Sequence, residues 1–100
     1  EGTCHWYNTA GGNNASYGET ASIDTPSSEF HLYTVEWSES AVKIYLDDVK
    51  YYELPNSGDL PFNANFYLIL NIAMGGTNGG DIDPAFTQDT MEIDYIKVFQ

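Results

Sequence analysis

Apolar and polar positions alternate along this chain in short runs, and no run keeps the three-to-four spacing of a helix. Residues 30–37 read Phe-His-Leu-Tyr-Thr-Val-Glu-Trp. Alternation puts Tyr33, Val35 and Trp37 on one face with His31, and Thr34 and Glu36 on the other, which predicts a half-buried strand. Residues 42–46 and 49–52 flank Asp47-Asp48, a hairpin signal with a residue type that tolerates the left-handed turn. A loop carrying Pro55, Asn56, Gly58 and Pro61 follows. Residues 66–72 are almost continuously apolar, as in a strand buried on both faces. Residues 74–80, Met-Gly-Gly-Thr-Asn-Gly-Gly, predict a flexible loop, and residues 91–99 alternate again. Residues 3–8 and 21–24 give weaker strand signals around a loop spanning 9–18. About seven short strands separated by turn signals predict an all-β sandwich.

Composition narrows the partners. Fifteen acidic residues against three lysines give a net charge of −12 across 100 residues. So few cations cannot neutralise phosphates, which argues against nucleic acid and anionic lipid. No apolar run reaches the roughly 18–20 residues of a membrane span. Cys4 is the only cysteine, so no internal disulfide forms, and Cys4 with His5 is too small a set for zinc. Cys4 reads as a small buried hydrophobe. The chain opens on Glu1 rather than Met, which fits a processed or excised piece.

The chemistry-bearing candidates are few. The glycine loop lacks the Lys-Ser/Thr ending of a phosphate cradle, and no serine sits in a nucleophile elbow. Glu92 and Asp94 share a strand face about 6–7 Å apart. That pattern admits a carboxylate pair for glycoside hydrolysis, an oxygen donor to a hard cation such as calcium, or ordinary solvated residues. His5 and Tyr7 share one face of the first strand, opposite Cys4, Trp6 and Asn8. Asn71 is the one amide in residues 66–72. His5 and Asn71 each fit either a satisfied core position or a groove that hydrogen-bonds a sugar. Aromatic faces with neutral polar groups suit sugar recognition, and an uncharged polysaccharide tolerates a strongly acidic protein.

Four ordered blocks carry a more specific signal: residues 30–37, Ile44-Tyr45-Leu46-Asp47-Asp48, residues 61–76 with Phe-Tyr-Leu-Ile-Leu-Asn-Ile-Ala-Met-Gly-Gly, and Met-Glu-Ile-Asp-Tyr-Ile-Lys-Val-Phe-Gln at 91–100. Together they resemble the C-terminal half of glycoside hydrolase family 16, and look most like its laminarinase (endo-β-1,3-glucanase) branch. The resemblance implies a concanavalin-like β-jelly-roll sandwich of two antiparallel sheets with a glucan cleft on the concave face. It implies a retaining mechanism using Glu-x-Asp-x-x-Glu, a motif this sequence does not contain, so no catalytic residue is assigned here. By the same resemblance His5, Tyr7 and Asn71 are cleft positions that contact sugar, and Glu36 is a further cleft candidate. Asp94 corresponds to a side-chain ligand of a structural calcium. Trp37 matches a core position.

These readings predict that residues 1–100 are the C-terminal portion of one secreted β-sandwich glycosidase domain. Its ligand is expected to be β-1,3-glucan or a related polysaccharide. Its missing N-terminal half, on the same or a separate chain, is expected to bring the catalytic glutamates. The competing expectation is a non-catalytic β-glucan-binding module or lectin of the same fold. Such a partial sandwich leaves Tyr33, Val35, Trp37 and residues 66–72 uncovered. Asn14-Ala15-Ser16 is an N-glycosylation sequon.

Overall fold

The computed structural model describes residues 1–8 and 12–100, apart from the side chains of Asn8, Asn13 and Asn78. The chain divides into two units, Glu1–Asn65 and Phe66–Gln100. Among the described residues, five strands form, all in the first unit: β1 (Gly2–Asn8), β2 (Asn13–Glu19), β3 (Tyr33–Trp37), β4 (Ala41–Leu46) and β5 (Val49–Pro55). β1 and β2 make a two-stranded antiparallel sheet, and β3, β4 and β5 make a three-stranded one in sequence order.

The hairpin between β4 and β5 follows the sequence expectation. Asp47 and Asp48 have φ of 48° and 65°, the two positive angles that a two-residue turn needs to match the twist of its strands. One irregularity was not legible in the sequence. Ile44 pairs with Tyr52 but Tyr45 pairs with Lys50, so Tyr51 is the extra residue of a β-bulge. The bulge puts Lys50 and Glu53 on the same face although they are three residues apart, and their side chains form an ion pair. An unbroken strand would place them on opposite faces. The turn between β3 and β4 is stitched by Ser38, whose backbone N–H donates to the Ala41 carbonyl at 2.9 Å while its hydroxyl oxygen accepts from the Ala41 N–H at 3.2 Å.

Register puts Tyr33, Val35 and Trp37 on the same face of the three-stranded sheet as Val42, Ile44, Tyr52 and Leu54. The β1–β2 hairpin covers only part of that face. Cys4 packs with Val42, Tyr52 and Leu54 in the core, and Trp6, Ile44, Tyr51, Leu60 and Phe62 surround it. Close approach is permitted by Gly2, where an added Cβ would lie 2.5 Å from the Tyr51 hydroxyl and 2.8 Å from Ile44 Cδ1. Trp6 joins the layers at its end, edge-on to Phe62 with centroids 5.7 Å apart and tilted on Tyr17 at 5.3 Å. The β3 part of the face stays open: Tyr33, Val35 and Trp37 are 69%, 63% and 45% exposed. The Trp37 indole nonetheless donates to the Phe62 carbonyl at 2.6 Å, tying β3 to the short 3-10 turn Pro61–Asn63.

Four expectations need correction. Residues 13–18, read as loop, belong to β2 (Asn13–Glu19), while residues 9–11 of that loop lie outside the described residues. The sequence hides β2 because Asn-Asn-Ala-Ser-Tyr-Gly-Glu has no apolar alternation; the ladder to β1 makes it a strand. Residues 21–24 are not a strand, and residues 66–72 and 91–99 are unpaired among the described residues. Apolar side chains make a segment eligible for a sheet, but only neighbouring strands satisfy its N–H and C=O groups. In the second unit, Gly76–Gly79 forms one helical turn, with Gly80 N–H donating to the Gly76 carbonyl at 3.0 Å. Gly75 and Gly80, at φ 70° and 68°, bracket it in a conformation open to glycine.

Candidate functional site

Strand alternation delivers the two β1 candidates as expected. Cys4 is buried and Trp6 half-buried, whereas His5 and Tyr7 are exposed on the outer face. Trp6, clamped by Tyr17 and Phe62, fixes the strand from beneath. His5 and Tyr7 line a shallow open concavity with Trp6, Asn14 and Ala15. Its side chains include an imidazole, a phenol, an indole and an amide, with no carboxylate, lysine or arginine. Such a surface offers donors and acceptors to hydroxyl groups and a flat aromatic face. Asn14 was absent from the sequence-based candidates because β2 was. The sequence signal that could have found it is the Gly-Gly dipeptide at 11–12, which marks turns; Gly12 has φ 65°.

Glu36 lies elsewhere. It sits on the polar face of β3, opposite Lys43 in the register, and both of its carboxylate oxygens are engaged. Lys43 Nζ donates to Oε1 at 2.7 Å and the Tyr45 hydroxyl to Oε2 at 2.8 Å. Those two bonds hold the Glu36 carboxyl below the ordinary range, while Glu36 pushes Lys43 and Tyr45 up. This face points away from the β1–β2 hairpin, and the outer face of β1 points away from the three-stranded sheet. The structure therefore does not bring Glu36 to His5 and Tyr7. With Lys43 and Lys50 paired to Glu36 and Glu53, and Lys97 Nζ 4.5 Å from the Tyr95 ring centroid, the described residues offer no basic patch for phosphates.

A second network joins the segment before β3 to the β4–β5 turn. His31 Nδ1 lies 2.8 Å from Asp47 Oδ2, and Nε2 lies 3.0 Å from the Thr25 carbonyl and 3.1 Å from its hydroxyl. Asp47 Oδ1 accepts from the Leu32 N–H at 2.9 Å, and Asp47 N–H donates to the Leu32 carbonyl at 2.9 Å. The Asp47 and Thr25 bonds raise the His31 pKa, and the Leu32 and His31 bonds lower that of Asp47.

In the second unit Asn71 and Asp94 are exposed and belong to unpaired segments. A calcium ion asks for six to eight oxygens, about 2.3–2.6 Å away. Among the described residues no group of three or more His, Cys, Asp or Glu side chains could hold a metal ion. Asp94 thus brings one donor, and the described side chains do not build a site around it. Among the described residues, no helix is long and apolar enough to cross a membrane.

The first unit is thus two antiparallel sheets, with His5, Tyr7 and Asn14 exposed on the outer face of the β1–β2 hairpin. Residues 3–97 match the profile of glycosyl hydrolases family 16, and the chain belongs to that family. It is similar to a beta-glucanase of Rhodothermus marinus, 32% identical over 94 residues that cover 83% of this chain and 33% of the relative. It is also similar to glucan endo-1,3-beta-glucosidase A1 of Niallia circulans, 33% identical over 88 residues, 76% of this chain and 13% of that protein. The crystal structure of LamAcat from Zobellia galactanivorans superposes with a TM-score of 0.78 at 48% identity, covering 85% of this chain and 34% of that one. The fold is accordingly that of a β-jelly-roll sandwich, of which this chain carries a part. The chain spans about a third or less of the length of these three proteins.

Proposed function

We propose that the protein carrying this chain is a secreted endo-β-1,3-glucanase that cleaves β-glucan with retention of configuration. The observation that carries the reading is the 48% identity to LamAcat at a TM-score of 0.78 over 85% of the chain. The outer face of β1 agrees with it, since between Thr3 and Tyr7 it carries no carboxylate, lysine or arginine and a neutral glucan needs hydroxyl-reading groups rather than a counter-charge.

Retention requires two carboxyl groups about 5–5.5 Å apart across the scissile bond, one as nucleophile and one as acid and base. The Glu-x-Asp-x-x-Glu arrangement is absent from these 100 residues, so the pair comes from the remainder of the protein. That remainder, on the same or another chain, also covers the open Tyr33, Val35 and Trp37 face. The role of the present residues is to hold substrate. His5 exchanges hydrogen bonds with sugar hydroxyls, Tyr7 presents its ring and phenol, and Asn71 supplies an amide. Contacts of this kind hold a sugar ring in place for the carboxylates, and correct placement is itself a large part of the rate. Asp94 would supply a carboxylate ligand to a structural calcium, whose other ligands would come from the remainder of the protein.

Digestion of laminarin by the full-length protein, followed by proton NMR of the first products, tests the reading. Early appearance of the β-anomer is expected. Early α-anomer would exclude retention. Retention of the protein on insoluble β-1,3-glucan with no cleavage would replace the enzyme by a binding module.

A further inference from the structure

The geometry points to Asn14 and Ser16 of β2 as sugar-contacting residues that widen the His5–Tyr7 surface into a two-strand platform for a neutral glucan. The inference rests on the proposed glucan-binding reading and adds residues to it. In the β1–β2 ladder Tyr7 pairs with Asn14 and His5 with Ser16, and paired residues of an antiparallel ladder share a face. Side chains directly opposite one another stand about 4.5–5.5 Å apart at Cβ, within reach of neighbouring hydroxyls of one ring. All four residues are exposed, and Asn14 lines the same concavity as His5 and Tyr7.

Chemistry selects the ligand class. Asn14 offers two donors and an acceptor, and Ser16 one donor and two lone pairs. Their face continues through Thr3 and Gly18, and the first carboxylate met is Glu1, whose Oε1 accepts from the Thr3 hydroxyl at 2.8 Å. On a chain of net charge −12, two adjacent strands that bring no carboxylate, lysine or arginine to this face between Thr3 and Tyr7 form a surface for an uncharged polyhydroxy ligand. On the inner face of the same hairpin Cys4 and Trp6 join the core and Tyr17 lies against the Trp6 ring.

Asn14→Ala and Ser16→Ala in the full-length protein, assayed on laminari-oligosaccharides, decide the matter. Each lost hydrogen bond should raise KM roughly 3- to 10-fold with kcat nearly unchanged, and the melting temperature should stay within about 2 °C because both sites are exposed. Asn14→Gln, which keeps the amide, should recover part of the loss. An unchanged KM in both alanine variants, with the unmutated protein active, overturns the assignment and leaves the glucanase reading standing. An unmutated protein that neither cleaves nor binds any neutral β-glucan overturns both.

Discussion

Asp47 grips the segment before β3 twice: its carboxylate meets His31 Nδ1 at 2.8 Å and accepts the Leu32 N–H at 2.9 Å. The same residue forms the β4–β5 turn at φ 48°, so one side chain couples a hairpin tip to the entry of the neighbouring strand. A protonated His31 donates from Nδ1 to Asp47 and from Nε2 to the Thr25 carbonyl. A neutral ring keeps Nδ1–H on Asp47 and can only accept at Nε2, from the Thr25 hydroxyl, which otherwise donates to Glu29 at 3.1 Å.

The pH dependence follows from the directions of the two shifts. The raised His31 pKa adds stability that is complete below the ordinary histidine value of about 6.5 and fades as pH rises through the folded value. The lowered Asp47 pKa adds stability that is complete above about 3.9 and fades as pH falls through its folded value. The joint contribution peaks between those limits. Asp47→Asn keeps the turn, since Asn tolerates the left-handed region. Its melting temperature should fall a few degrees below that of the unmutated protein at pH 5.5, and the gap should narrow by pH 9. A gap that stays constant across this range would show that the charge on His31 contributes nothing.

Asp48, at φ 65°, tests the turn itself. Asp48→Val places a β-branched side chain in the left-handed region and should cost about 1–2 kcal/mol in denaturant unfolding. Asp48→Gly completes the favoured Asp-Gly pair and should be neutral or stabilising. Equal stability of the two variants would contradict the turn geometry.

Asn71→Ala should reduce turnover of laminarin at least several-fold while leaving the melting temperature within about 2 °C, since the residue is exposed and surface changes cost little. A large melting loss with unchanged activity per folded molecule would make Asn71 a structural amide instead.

Asp94 is checked by calorimetry. Calcium in excess should raise the melting temperature of the full-length protein, chelator should reverse the gain, and Asp94→Ala should abolish most of it. If chelator leaves the unmutated protein's melting point where it was, Asp94 holds no calcium.

Much of the fold was legible because burial and backbone pairing coincided. β1, β4 and β5 alternate or carry apolar runs, and Asp47-Asp48 marks the turn between the last two. β2 separates the two properties: its backbone pairs fully with β1 while its side chains are small, polar or exposed. Residues 66–72 separate them the other way, apolar but for Asn71 yet without a ladder among the described residues. The site was legible to the same degree. His5 and Tyr7 followed from alternation, but Asn14 depends on a cross-strand register that no local pattern prints. Glu36 illustrates the converse, since its engagement by Lys43 and Tyr45 is set by the length of the Ser38–Ala41 turn, and the bulge at Tyr51 left no sequence trace.

The ladder partner of Tyr7 has a practical side. Asn14-Ala15-Ser16 is an acceptor sequence for oligosaccharyltransferase, and Asn14 stands exposed on the face where the glucan is proposed to lie. A eukaryotic secretion host that modifies this site would cap the binding face with the host's own sugar, and the product would register as inactive though correctly folded. Removing the sequon by mutation alters Asn14 or Ser16, the groups under study, or forces proline into β2. The choice of expression host therefore belongs to the assay design, and matched preparations from bacterium and yeast would turn the unwanted glycan into a reporter of where substrate binds.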